Sequence, residues 1–151
     1  MPKSVHRLSI PSSTRYLVEV RRFVENHARQ AHLRDDAIEQ FKIAVDEACT
    51  NVIKHAYMGD DRQQIDLAII VDDDRFTVRI RDEGRAFHPR MYSEPNIFKY
   101  AETRRAGGFG VHIMRRLMDE VEYQTRGKVN EVRLTKFRNG RSDGVGAPPP
   151  L

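Results

Sequence analysis

Apolar residues recur along the first third of the chain at spacings of three and four. Leu17, Val20, Val24 and Ala28 share one side of a predicted helix over 14–30, which Ser12 or Ser13 is placed to cap. The next run is sharper. Ile38, Phe41, Val45, Ala48 and Val52 follow at steps of three, four, three and four and predict an amphipathic helix over about 36–57. Asp36 followed by Glu39 reads as a capping box at its start. The period then drops to two. "IDLAIIV" (65–71) and "RFTVRIRD" (75–82) each put their apolar residues on one face, and the "DDD" between them predicts an antiparallel hairpin. "VHRLSI" (5–10) alternates weakly and predicts a short edge strand. "GGFGVHIMRRLMDEV" opens on glycines and continues as a helix through Ile113, Met114, Leu117 and Met118. "VEYQT", a turn at Gly127 and "EVRLTKF" predict a closing hairpin.

Residues 83–106 have no period and contain Gly84, Pro89 and Pro95. Structureless loops of that length in a compact domain are usually lids or binding loops. The Gly- and Pro-rich stretch 139–151 reads as a disordered tail, leaving one domain over 1–138. Hairpins alternating with helices that have a single apolar face predict a two-layer α/β (α+β) sandwich.

Composition narrows the class. A chain of 151 residues that is 39% hydrophobic and 32% charged is a soluble single domain. No stretch approaches the ~20 apolar residues of a membrane span. "MPKSVHRLSIPSS" lacks the apolar core of a secretory signal. The single cysteine, Cys49, falls on the apolar side of its helix and is expected to be a buried, reduced thiol, which fits the cytoplasm. A net charge of +4 and a pI near 9.4 raise the question of nucleic acid. Lys and Arg alternate with Asp and Glu, without a basic block or aromatic platform, so no direct nucleic-acid binding is expected. The six histidines lack metal-ligand spacing.

Three groups of residues fit their elements poorly. Glu47, Asn51 and His55 are four apart, along the border of the apolar stripe of the second helix. They are either half-solvated boundary residues or the wall of a site. In a site, the Asn oxygen suits a hard cation such as Mg²⁺. A Glu one turn away, ionised at neutral pH, is able to take a proton. Asp82 has the parity of Phe76, Val78 and Ile80, so its strand aims it at the apolar face. A carboxylate there needs donors, either the following turn or a ligand amine such as that of adenine. Gly84, two residues on, permits close approach to the backbone. "AGGFGVHIM", with Arg104 and Arg105 just upstream, is either a hinge or a set of free N–H groups at a helix start aimed at phosphate. It is neither a Walker loop nor a dinucleotide fingerprint.

In this order, the three groups resemble the GHKL ATPase/kinase superfamily: Glu47 with Asn51 its N box, "DEGRAF" its first Gly box, "GGFGVHIM" its second. "DEACTNVIKHAY" and "GGFGVHIMRRLMDEVEY" are similar over longer runs to the bacterial anti-sigma factor serine/threonine kinases, and the likeness covers about 5–138. It implies the Bergerat ATP-binding fold, a mixed, mostly antiparallel sheet with helices on one face and a mobile lid at 83–106. It further implies ATP and Mg²⁺ as cofactors. Glu47 would be the general base, Asn51 the Mg²⁺ ligand and Asp82 the adenine anchor, with Gly84 making room for the base. His55, Arg105, Gly107, Gly108, Phe109, Gly110 and Val111 complete the implied nucleotide site. The chain departs from the pattern at Ala86, where a second glycine is common, and at Asn130, where a threonine is common. Implied partners are a STAS-type anti-anti-sigma factor as phosphoacceptor, a sigma factor, and a second copy in a homodimer, with the first strand and helix as the surface. A nucleotide-sensing module without phosphoryl transfer is the alternative, favoured by Ala86 and opposed by Glu47. A histidine-kinase fragment fits less well, because no phosphoacceptor helix is evident.

Overall fold

A computed structural model describes residues 3–86 and 109–138, with the backbone alone at 109–111. The chain forms β1 (Ser4–Pro11), a short 3₁₀ turn (Thr14–Tyr16), α1 (Leu17–Gln30) and α2 (Asp35–Asn51). A π-helical turn (Val52–Ala56) follows, then β2 (Gln64–Val71), β3 (Arg75–Asp82), α3 (Phe109–Leu117), β4 (Glu120–Arg126) and β5 (Val129–Phe137). The strands form one five-stranded sheet in the order β1-β2-β3-β5-β4. Every pairing among the described residues is antiparallel, the limiting case of the mostly antiparallel sheet expected. The 139–151 tail and most of the 83–106 loop lie outside the described residues.

The apolar periods fold as they read. Leu17, Val20, Val24 and Ala28 of α1 are buried, as are Ile38, Phe41, Val45, Ala48 and Val52 along α2. They cover Ile65, Leu67 and Ile69 of β2, Phe76, Val78 and Ile80 of β3, and Leu134 of β5. Each such Val, Leu, Ile or Phe side chain contributes roughly 1.5–3 kcal/mol by leaving water. Phe41 meets Phe76 edge-on, with ring centres 5.1 Å apart, and locks α2 onto β3. Arg21 holds Asp46 at 2.9 Å, and Lys42 holds Glu25 at 2.8 Å, across the outer seam of α1 and α2.

The helix starts differ from the reading of the sequence. Ser13 does cap the first helical turn, accepting weakly from Arg15 N–H at 3.5 Å. Ser12 is fully buried, donating to the Asp60 carbonyl at 2.6 Å and accepting from Gln63 N–H at 3.1 Å, so it ties the end of β1 to the approach of β2. The capping box at Asp36 and Glu39 does not form. The helix begins one residue earlier, with Arg34 as an N-cap that makes no side-chain cap. Asp36 is therefore already inside the first turn and pairs with Arg34 at 2.9 Å, while Glu39 pairs with Lys42 at 3.2 Å.

The end of α2 differs as well. Beyond Asn51 the helix widens to π winding, and Tyr57 N–H reaches back five residues to the Val52 carbonyl at 2.9 Å. Gly59 N–H then bonds the Ile53 carbonyl at 2.8 Å and closes the turn. Tyr57 fastens this segment to the sheet: its hydroxyl donates to the Gln64 carbonyl at 2.6 Å and accepts from Glu83 N–H at 2.9 Å.

Candidate functional site

Asp82 is the last residue of β3, and its parity turns the carboxylate toward the helices, where it is 7% exposed. Oδ1 accepts from Gly84 N–H at 2.9 Å and from Asn130 Nδ2 at 2.8 Å. Oδ2 has no hydrogen bond among the described residues. Burial pushes the acid up from its usual range, and the two donors only partly offset that.

The amide that serves Asp82 is itself fixed. Asn130 stands opposite Asp82 on β5 and opposite Thr125 on β4. Thr125 Oγ1 donates to Asn130 Oδ1 at 2.9 Å, which sets the amide's orientation. The other hydrogen on Nδ2 goes to the Gly84 carbonyl at 2.9 Å. Thr125, Asn130 and Asp82 thus form a chain across three strands with a free carboxylate oxygen at its end.

On the helix side, Asn51 is 4% exposed, and neither Oδ1 nor Nδ2 has a hydrogen-bond partner among the described residues. A buried amide left unpaired costs about 1–3 kcal/mol. Retaining one at the rim of a cleft points to a ligand that completes it. Glu47, one α-helical turn earlier on the same side, is half-buried, and burial together with the adjacent Asp46 raises its pKa against the pull of Lys54. His55, four residues on, lies in the π turn.

Asp82, Asn51 and Asn130 line one cleft of about 380 Å³, measured with its open mouth. Ala48 and Val52 form its apolar floor on the helix side, with Tyr123, Thr125 and Val132 on the sheet side. Ligand sites are commonly of this kind, apolar with a few convergent polar groups. Glu47, His55, Gly84 and Ala86 are not in the lining. Gly84 serves another purpose. A Cβ there would lie 2.5 Å from the Ala56 carbonyl oxygen and 2.8 Å from the Tyr57 ring, so the glycine lets the end of β3 close against the π turn. Arg85 N–H bonds that same carbonyl at 2.7 Å. Ala86 is exposed. Arg105, Gly107 and Gly108 lie outside the described residues, while Phe109, Gly110 and Val111 form the first turn of α3. Thr125 and Tyr123 were missed by sequence reasoning. The Gly127 turn was the available signal, because it fixes Thr125 opposite Asn130.

Residues 10–136 match the family described as histidine kinase-like ATPase domain. The chain belongs to this family. Similar proteins include the serine-protein kinase RsbW of Bacillus pumilus, 35% identical over 138 residues that cover 87% of this chain and 85% of that protein. RsbW of Listeria monocytogenes serotype 4a is 32% identical over 136 residues, covering 87% and 86%. Among solved structures, the RsbU and RsbW domains of Rv1364c from Mycobacterium tuberculosis align with a TM-score of 0.64 at 14% identity, covering 91% of this chain and 34% of that one. The SiaB–SiaC complex from Pseudomonas aeruginosa aligns at 0.64 and 13% identity, covering 86% and 88%. These two likenesses show the fold. Family membership and the sequence motifs agree: the two-layer sandwich is an ATP-binding fold of the GHKL kind, and its relatives are protein serine kinases.

Proposed function

We propose that this protein is a Mg²⁺-ATP-dependent serine/threonine kinase and anti-sigma factor, with its domain over 1–138. The observation that carries the nucleotide site is that one cleft is lined both by Asp82, whose bonds among the described residues all reach Oδ1, and by the buried Asn51 amide, unpaired among the described residues. Asp82 Oδ2 is the acceptor for the exocyclic amine of adenine, and Thr125 and Asn130 hold the carboxylate in place. Asn51 fits a Mg²⁺ ligand because its buried Oδ1 has no partner among the described residues. When bound, the ion supplies positive charge beside the phosphates. His55 and Gly84 flank this nucleotide site, and Phe109, Gly110 and Val111, with Gly107, Gly108 and Arg105 upstream, take the phosphates.

Glu47 is the general base. A partner's Ser or Thr oxygen attacks the γ-phosphorus, its O–P bond forms as the bond to the β-phosphate oxygen breaks, and ADP leaves. The hydroxyl proton passes to Glu47. Partial burial makes this carboxylate more basic than a solvated one, which moves it toward working pH. Most of the rate in such transfers comes from positioning and charge. The phosphoacceptor is a STAS-type anti-anti-sigma factor, and the other partner is a sigma factor. Nearly two added negative charges on the acceptor break its contact with the kinase. The kinase acts as a homodimer in the cytoplasm, with β1 and α1 as the surface; no helix among the described residues is long and apolar enough to cross a membrane.

Radiolabelled ATP, a purified STAS-type acceptor and the Glu47→Gln variant test this reading. The expected result is label on the acceptor with wild-type protein and none with the variant, while both bind ATP equally. Tight ATP binding with no transfer by the wild type would refute the kinase reading.

A further inference from the structure

The described helices pack on one face of the sheet, and the opposite face carries a row of arginines. Arg7 of β1, Ala68 of β2, Arg79 of β3 and Arg133 of β5 are consecutive cross-strand partners. Arg81 lies one pair further along β3, opposite Glu131. Glu131 is 5% exposed and satisfied on both oxygens, by Arg81 Nε at 2.8 Å and Arg133 Nε at 2.8 Å. That leaves Arg7 and Arg79 with no hydrogen bond or ion pair among the described residues. Arg79 is partly buried and feels Arg81, Arg133 and Arg7 against the single opposing charge of Glu131. Like charges directly opposite on a sheet, such as Arg79 and Arg133, are destabilising. A desolvated guanidinium without a counter-ion adds to that cost. The free protein gains nothing from this arrangement.

We infer that the open face of the sheet docks an acidic segment of a partner protein, with Arg7 and Arg79 gripping its carboxylates. The two arginines stand either side of Ala68, two strand spacings or about 10 Å apart at the backbone. Ala68 places no long side chain between them, so both guanidinia can converge on one carboxylate or on neighbouring ones, each in the bidentate manner. The surrounding charges set the class of partner. Asp66 stands opposite Arg81 and Glu122 opposite Arg133 on this face, and Glu131 lies within the cluster. A continuous phosphate backbone laid across the sheet would meet these carboxylates, whereas a peptide with separated acids can place them over the arginines alone. The surface is distinct from the nucleotide cleft, which opens on the helix side of the sheet.

Fluorescence anisotropy of a labelled octaglutamate peptide with the full chain at low ionic strength tests this. A labelled DNA duplex serves as the competing probe. The Arg7→Gln/Arg79→Gln variant is expected to bind the peptide about tenfold more weakly or worse. Arg22→Gln, which removes one exposed charge from α1, is expected to bind it as the wild type does. Thermal melting and ATP binding serve as folding controls: the double variant is expected to melt at or above the wild-type temperature and Arg22→Gln with the wild type, and both to bind ATP as the wild type does. Equal weakening by Arg22→Gln, undiminished peptide binding by the double variant, or tighter arginine-dependent binding of the duplex than of the peptide would each overturn the proposal.

Discussion

Asp82→Asn separates what the nucleotide needs from what the fold needs. In the wild type both protein donors reach Oδ1, Gly84 N–H at 2.9 Å and Asn130 Nδ2 at 2.8 Å. An asparagine keeps both bonds by placing its amide oxygen there. Its NH₂ then replaces Oδ2, the atom with no partner among the described residues, and offers a donor where adenine offers one too. The loss is at least one charge-assisted hydrogen bond, about 1.5–3 kcal/mol, or roughly ten- to hundredfold in ATP affinity. Stability moves the other way. Asp82 has its pKa raised in the fold, chiefly by burial. Such a carboxylate favours folding most below its unfolded pKa, and that contribution is lost as pH rises through the folded value. At neutral pH the variant is therefore expected to melt at the same temperature as the wild type or higher, with the difference shrinking in acid. Calorimetric titration with ATP and thermal melts at neutral and acidic pH give both answers. Unchanged ATP affinity, or a variant less stable than the wild type at neutral pH, would refute the reasoning.

Gly84→Ala drives a Cβ to within 2.5 Å of the Ala56 carbonyl and should lower the urea midpoint by the equivalent of at least about 1–3 kcal/mol. Glu131→Gln removes the shared partner of Arg81 and Arg133, both partly exposed, and should cost about 1–2 kcal/mol at neutral pH in denaturant melts. Burial pushes Glu131 up, but Arg133 and Arg81 together hold it below its usual range. Its contribution is therefore present above the unfolded pKa and disappears as pH falls through the folded one, so the two proteins should converge in acid. Cys49 is fully buried, with its thiol pushed up to about 12, and should resist an aromatic disulfide reagent until the protein unfolds. Stoichiometric reaction in the native state would contradict that burial.

The elements were legible because their cores are periodic. Val20–Val24–Ala28 and Ile38–Phe41–Val45 admit only a helix, and alternation in 65–71 and 75–82 admits only strands. The π turn was hidden because Val52 and Ala56 keep the apolar spacing of an α-helix, and both are buried. Asp82 was legible from strand parity. Its partnership with Asn130 spans 48 residues and depends on β3 pairing with β5, a choice that local pattern does not make. Glu131 alternates with Arg133 as a solvated strand face does, so its burial beneath two arginines had no local signal. Gly84 was assigned to ligand access on motif grounds, and the clash with Ala56 became apparent only once β3 and the π turn were side by side.

The wide turn after Asn51 sets the phase of everything downstream. It holds one residue more than regular winding would place between the amide and Tyr57. Excising the exposed Lys54 would let the segment relax to ordinary winding, with Tyr57 still set over the Val52 carbonyl and its phenol still within reach of Gln64 and Glu83. A deletion in the regular winding of α2 has no such slack, because each residue of an α-helix turns the chain by about 100°. A single-codon deletion is therefore tolerated at the wide turn and not in the helix before it.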